Sequence, residues 1–131
     1  MPLARRFELV VGVEGSERAI DFAEKNAENA RLPNVKFHRE DVSDWLKENA
    51  KNLKNLDFVL LDPPRSGTEK ETIENLLRLK PKEISYVSCE PATLARDLKI
   101  LCDDGYSMDL ITVLDLFPQT HHVETVVRLR A

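Results

Sequence analysis

Runs rich in valine, leucine and isoleucine alternate with helix-patterned segments along this chain, and that alternation restricts the fold more than any other feature. FELVVGVE (7–14), VKFHRED (35–41), LDFVLLD (56–62) and EISYVSC (83–89) read as strands, and a helical segment follows each of them. Ser16 suits the N-cap of the first helix, with Ile20, Ala23, Ala27 and Ala30 at helical spacing, and Pro33-Asn34 breaks it. Ser43 is expected to cap a second helix that carries Trp45 and Leu46 and frays near Asn55. Residues 69–79 place Ile73, Leu76 and Leu77 on one inward side. The fourth helix, 91–103, begins at Pro91, a favourable first helical position, and Gly105 ends it. MDLITVLDLF (108–117) and HVETVVRLR (122–130) complete the chain as strands. The loop between them is too short for a crossover helix, so they are expected to pair antiparallel.

Four β-α units and a closing hairpin specify an α/β architecture: a mostly parallel sheet, helices on both faces and a terminal antiparallel hairpin. A length of 131 residues with 42% hydrophobic content suits a single domain over residues 1–131 with a real core. No apolar run approaches the about 18 residues of a membrane helix, and the N-terminus lacks the apolar stretch of a secretion signal. Two cysteines make neither a disulfide framework nor a zinc set, which points to a reducing cytoplasm. The net charge of -4 argues against a broad basic surface for nucleic acid and leaves room only for a local patch.

In sheets of this kind ligands bind beyond the carboxyl ends of the strands. Those ends carry Glu14, Asp41, Asp62 and Cys89. In LDPPRSG (61–67) two prolines fix the backbone directly after a strand and hold Asp62 at the rim. This is either a rigid turn capped by Asp62 or one wall of a flat pocket for a base. In SCEPATLARD, Cys89 lies at the N-terminal end of the helix led by Pro91, where the dipole and free amides favour a thiolate. The plainer reading is a small buried residue, which fits Cys102 among Leu98, Ile100 and Leu101. In FPQTHHVETVV (117–127), Glu124 taken alone reads as a solvated strand residue. His121 and His122 would alternate faces in a strand and have no partner set, so no metal site is expected.

Together, LDPPRSG, SYVSCEPATLARDL and DLFPQTHHVETVVRL resemble, in order and spacing, the motifs of the RNA uracil-5-methyltransferase family. VVGVEGSERAIDFAEKNAENA is similar to that family's ribose-binding strand and following helix, so the resemblance covers essentially the whole chain. It implies a Rossmann-like, S-adenosylmethionine-dependent methyltransferase fold. It also implies methyl transfer from S-adenosylmethionine to C5 of uridine in transfer or ribosomal RNA. By the same resemblance Cys89 is the nucleophile that adds to C6 of the flipped-out base, and Glu124 is the base that later removes the C5 proton. Glu14 would hold the ribose hydroxyls of the cofactor, Asp41 would lie near the adenine and Asp62 near the methionine part. Pro63 and Arg65 would face the substrate.

Two departures bear on this reading. The family usually has asparagine after the nucleophile, and this chain has Glu90, whose carboxylate opposes a thiolate unless it points away. Methyltransferases of this fold also begin with a central strand and a glycine-rich turn. Here PLARRF matches the end of the helix that follows that turn, and Gly12, Gly15, Gly67 and Gly105 form no Gly-x-Gly loop. The family's RNA-gripping β-barrel is not found in this sequence either. The sequence therefore reads as the C-terminal part of a catalytic domain. FELVVGVE and LDFVLLD must then pair directly, leave a gap or recruit a strand from another copy, and exposed strand edges favour a homodimer. The alternatives are an amino-group methyltransferase that uses the DPP loop and needs no cysteine, and a non-catalytic remnant that folds and dimerises. A nicotinamide-binding Rossmann domain is disfavoured because its glycine fingerprint is missing.

Overall fold

Strands and helices form where the alternation places them, and the computed structural model groups them into two compact units, residues 1–48 and 49–131. The structure describes residues 2–51, 53, 56–120 and 122–131.

In the first unit a 3-10 turn (Leu3–Arg5) precedes β1 (Val10–Val13), α1 (Glu17–Asn29), β2 (Val35–His38) and α2 (Val42–Asn49). β1 and β2 pair in parallel, from Val10 against Val35 to Val13 against His38. Ser16 caps α1 as expected, its hydroxyl accepting from the Ala19 amide at 3.4 Å, and the helix buries Ile20 and Ala27. Asn34 anchors the incoming chain by donating from Nδ2 to the carbonyls of Ala4 (2.7 Å) and Phe7 (2.9 Å). Gly12 allows β2 to approach closely, since a Cβ there would lie 2.9 Å from the Phe37 ring. The cap of α2 differs from expectation. Asp41, not Ser43, accepts from the first amides of the helix, while Ser43 is buried as the second helical residue. Two cap-type residues stand two positions apart in the sequence, and burial of the second decides between them.

The second unit contains β3 (Phe58–Leu61), α3 (Lys70–Leu79), β4 (Glu83–Ser88), α4 (Pro91–Asp103), β5 (Ser107–Leu114) and β6 (Glu124–Arg130). Its sheet has the order β3-β4-β6-β5. β3 and β4 are parallel, and β6 runs antiparallel to both β4 and β5. The final hairpin therefore pairs as expected, with its second strand inserted between β4 and the first. The inward faces of β4 and β6 carry Ile84, Tyr86, Val127 and Leu129, all fully buried against Ile73 of α3 and Leu94, Leu98 and Leu101 of α4. This is the period-2 and period-3.6 patterning meeting in one core. Cys102 packs at its edge, as the sequence suggested.

Among the described residues the strands form two sheets, β1-β2 and β3-β4-β6-β5. The strands are also shorter than the apolar runs, because a strand lasts only as long as its partner. β5 ends at Leu114, opposite the first residue of β6, and residues 117–120 close into a turn with the Thr120 amide on the Phe117 carbonyl at 3.1 Å. Every residue of β5 is exposed, Leu110, Ile111 and Val113 among them. Among the described residues no helix is long and apolar enough to cross a membrane.

Candidate functional site

In the first unit, Glu14 directly follows β1 and its amide continues the ladder onto the His38 carbonyl at 3.1 Å. That bond fixes Glu14 at the carboxyl end of the parallel pair. Its Oε1 accepts from the Ser16 amide at 2.7 Å, and its Oε2 forms no bond among the described residues. Asp41 stands after β2 at the same end, with Oδ1 accepting from the amides of Ser43 (2.8 Å) and Asp44 (3.2 Å). Both carboxylates are exposed, and each has one oxygen without a hydrogen bond among the described residues. A hydroxyl pair or an exocyclic amine is the natural complement of such acceptors.

In the second unit, three sequence-predicted positions meet at one rim. β3 and β4 are parallel, with Leu61 against Tyr86 as their last pair, so Asp62 leaves β3 beside the final residues of β4. Cys89 follows Ser88, the last residue of β4. β6 arrives antiparallel, and its pairing with β4 ends at Ser88 against Thr125. Cys89 and Glu124 are the residues next to that pair on their two strands. The register thus places the two residues side by side at the end of one ladder, and both are half-buried. Pro63 is half-buried, and Asp62 and Arg65 are exposed in the loop from the neighbouring strand.

The bend at Cys89 is held on both sides. The Ser88 hydroxyl accepts from the Glu90 amide and donates to the Glu90 carbonyl, each at 3.1 Å. Glu90 is the N-cap of α4, and its Oε1 accepts from the Ala92 amide at 3.2 Å. Its carboxylate is therefore engaged with the first turn of the helix, the same group of amides that was expected to favour a Cys89 thiolate. Pro91 occupies the first turn as expected. His122 is half-buried, and His121 lies outside the described residues. Among the described residues no cluster of three His, Cys, Asp or Glu side chains could hold a metal ion.

Sequence reasoning missed a polar network behind this rim. Asp97 of α4 is fully buried. Its Oδ2 accepts from the Thr68 amide at 2.7 Å and from the Tyr86 hydroxyl at 2.5 Å, and its Oδ1 accepts from Nε of Arg96 at 2.8 Å. The Thr68 hydroxyl meets that of Tyr86 at 2.8 Å. Burial, followed by the hydrogen bond to Asp97, pushes the Tyr86 phenol up to about 12. The sequence held a signal for this network: Asp97 falls on the Leu94-Leu98-Leu101 stripe of an amphipathic helix, where an acid needs dedicated donors.

Comparison with known proteins bears on the whole chain. A family model described as tRNA (Uracil-5-)-methyltransferase matches residues 1–131. An uncharacterized RNA methyltransferase of Protochlamydia amoebophila is 44% identical over 98% of this chain and 30% of its own length. The 23S rRNA (uracil(1939)-C(5))-methyltransferase RlmD of Pseudomonas putida is 42% identical over 100% of this chain and 29% of its own length. The chain thus spans less than a third of these relatives. Among solved structures, the Pyrococcus abyssi tRNA (uracil-54, C5)-methyltransferase in complex with S-adenosyl-L-homocysteine superposes with a TM-score of 0.83 and 38% identity. That match covers 97% of this chain and 30% of the other. The α/β fold is that of the S-adenosylmethionine-dependent methyltransferases.

Proposed function

The chain belongs to the tRNA (uracil-5-)-methyltransferase family, and on that footing we propose that it is the cysteine- and glutamate-bearing part of a cytoplasmic enzyme that methylates C5 of uridine in RNA. The observation that carries this reading is the β4–β6 register, which ends at Ser88 against Thr125 and leaves Cys89 beside Glu124.

Those two groups are what the reaction needs. C5 of uracil is a weak nucleophile. A Cys89 thiolate adding to C6 forms an S–C6 bond and moves the C5=C6 electron pair into an enolate, which makes C5 nucleophilic. S-adenosylmethionine, when bound, would supply an electrophilic methyl group from its sulfonium and leave as the neutral thioether S-adenosylhomocysteine once the S–CH3 bond is broken. Once C5 carries both hydrogen and methyl, Glu124 takes the C5 proton. The C5=C6 bond re-forms and the C6–S bond breaks, which returns the thiolate. The base has to leave its helix or loop to reach the half-buried thiol, as in other enzymes that work on a base edge. Pro63 and Arg65, in the loop from the neighbouring strand, would meet the extruded nucleotide.

The residues present fit the nucleoside part of the cofactor. Glu14 offers its unengaged Oε2 to ribose hydroxyls, and Asp41 offers an acceptor to the adenine amine. Asp62 would stand near the methionine part. Calorimetric titration with S-adenosylmethionine tests this assignment. Glu14→Ala is expected to weaken binding by about 10- to 100-fold, the usual effect of losing hydrogen bonds to a charged acceptor. Equal affinity in the variant and the parent chain would overturn the role of Glu14.

The same reading includes a homodimer. Among the described residues β5 pairs with β6 alone and exposes Leu110, Ile111 and Val113, so its outer edge would be satisfied by β5 of a second copy. Sedimentation equilibrium should show a dimer that Ile111→Glu dissociates. A monomer at every concentration would refute it.

A further inference from the structure

We propose that Asp97 is a positioning residue that locks the loop carrying Asp62, Pro63 and Arg65 to the strand and helix on either side of Cys89. The proposal rests on the methyltransferase reading for its functional meaning, but its geometry stands apart from that reading. Asp97 joins three segments. Tyr86 belongs to β4, three residues before Cys89, and donates its hydroxyl to Oδ2. Asp97 itself belongs to α4, which begins two residues after Cys89. Thr68 ends the DPPR loop and donates its amide to the same oxygen.

Neighbouring residues extend the lock along the loop. Arg96, held by Asp97 through Nε, donates from Nη2 to the carbonyls of Ser66 (3.2 Å) and Thr68 (3.4 Å). The Thr93 hydroxyl donates to the Arg65 carbonyl at 3.1 Å. Gly67 makes the approach feasible. Its φ is +82°, and a Cβ there would fall 2.8 Å from Oδ2 of Asp97. A loop of Asp, Pro, Pro, Arg, Ser and Gly has little apolar surface with which to anchor itself. Its backbone is instead held by a carboxylate that is fully buried and bonded through both oxygens.

Carboxamide chemistry separates positioning from simple packing. Asp97→Asn keeps the shape but has one acceptor oxygen where three donors converge from two sides. If that oxygen stays with Thr68 and Tyr86, the amide group faces the Arg96 Nε–H and expels it. If it turns to Arg96, the Thr68 amide loses its acceptor. Either way a part of the loop is released while the apolar core is unchanged.

The test is amide-resolved NMR of the chain without substrate. In the parent protein the Thr68 amide proton should resonate far downfield and exchange slowly. In Asp97→Asn it should move upfield, and exchange at Gly67 and Thr68 should rise about tenfold, the factor for one lost hydrogen bond of ordinary strength. The amides pairing β4 with β6 should keep their rates. Arg96 is 52% exposed, so Arg96→Lys serves as a second variant should Asp97→Asn fail to fold, with faster exchange at Thr68 expected. In a methyl-transfer assay, Asp97→Asn should lower kcat with little change in the affinity for RNA. Unaltered Thr68 exchange, or a rise shared equally by the whole sheet, would overturn the proposal. A parent chain that transfers no methyl would count against the methyltransferase reading alone, and the exchange rates would still decide the role of Asp97.

Discussion

Cys89→Ala is expected to reduce methyl transfer to uridine to the uncatalysed background while S-adenosylmethionine binding persists. The nucleophile has no substitute at that position. Without the S–C6 bond the ring never becomes an enolate, and C5 stays unreactive towards the methyl donor. Cys102 cannot take over, since it packs at the edge of the core on α4. Folding should survive, because Cys89 is only half-buried and the bend is held by Ser88 and Glu90. Thermal unfolding within a few degrees of the parent would verify this. Undiminished transfer to RNA in Cys89→Ala, with the methyl group on an exocyclic base amine and not on uridine C5, would favour an amino-group methyltransferase that uses the DPP loop without a covalent step.

Glu124→Gln is expected to slow turnover by about 10²- to 10⁴-fold, the usual contribution of a positioned general base. The substitution should also trap a methylated intermediate. A glutamine in the same place has the same shape and cannot take the C5 proton, so the thiolate cannot leave. Incubation with S-adenosylmethionine and a uridine-containing RNA should therefore accumulate a protein–RNA species that survives denaturing electrophoresis. The parent chain should show little of it. Turnover near the parental rate would mean that another group removes the proton.

The architecture was legible because each strand and helix carries its own pattern. Val10–Val13 and Phe58–Leu61 lie within the expected apolar runs, and Ser16, Pro91 and Gly105 mark helix ends as predicted. Strand order was less legible. A hairpin pairs identically whichever of its strands docks on β4, and the choice follows from burial. Val127 and Leu129 of β6 alternate with half-exposed neighbours and fill the core, whereas β5 is exposed throughout. The paired sheets β1-β2 and β3-β4-β6-β5 likewise follow from which edges find partners, and local pattern does not encode that.

At the site, the motifs marked the residues and the ladder supplied what motifs cannot. The sequence put 34 positions between Cys89 and Glu124 (124 minus 89, less one), and only the antiparallel register closes that distance. Asp97 went unread for a different reason. It stands in a helix whose apolar residues suggest plain packing, and its donors Thr68, Tyr86 and Arg96 come from three separate segments of sequence.

The proposed chemistry stands or falls on the covalent step, and 5-fluorouridine in place of uridine exposes that step. Fluorine at C5 cannot be removed by a base, so a methylated adduct should remain attached to the enzyme. After reaction with S-adenosylmethionine, protease digestion and mass spectrometry should find the modified nucleotide on the peptide containing Cys89, and none in Cys89→Ala. Methyl transfer to uridine with no cysteine adduct on the fluorinated RNA would contradict the covalent mechanism.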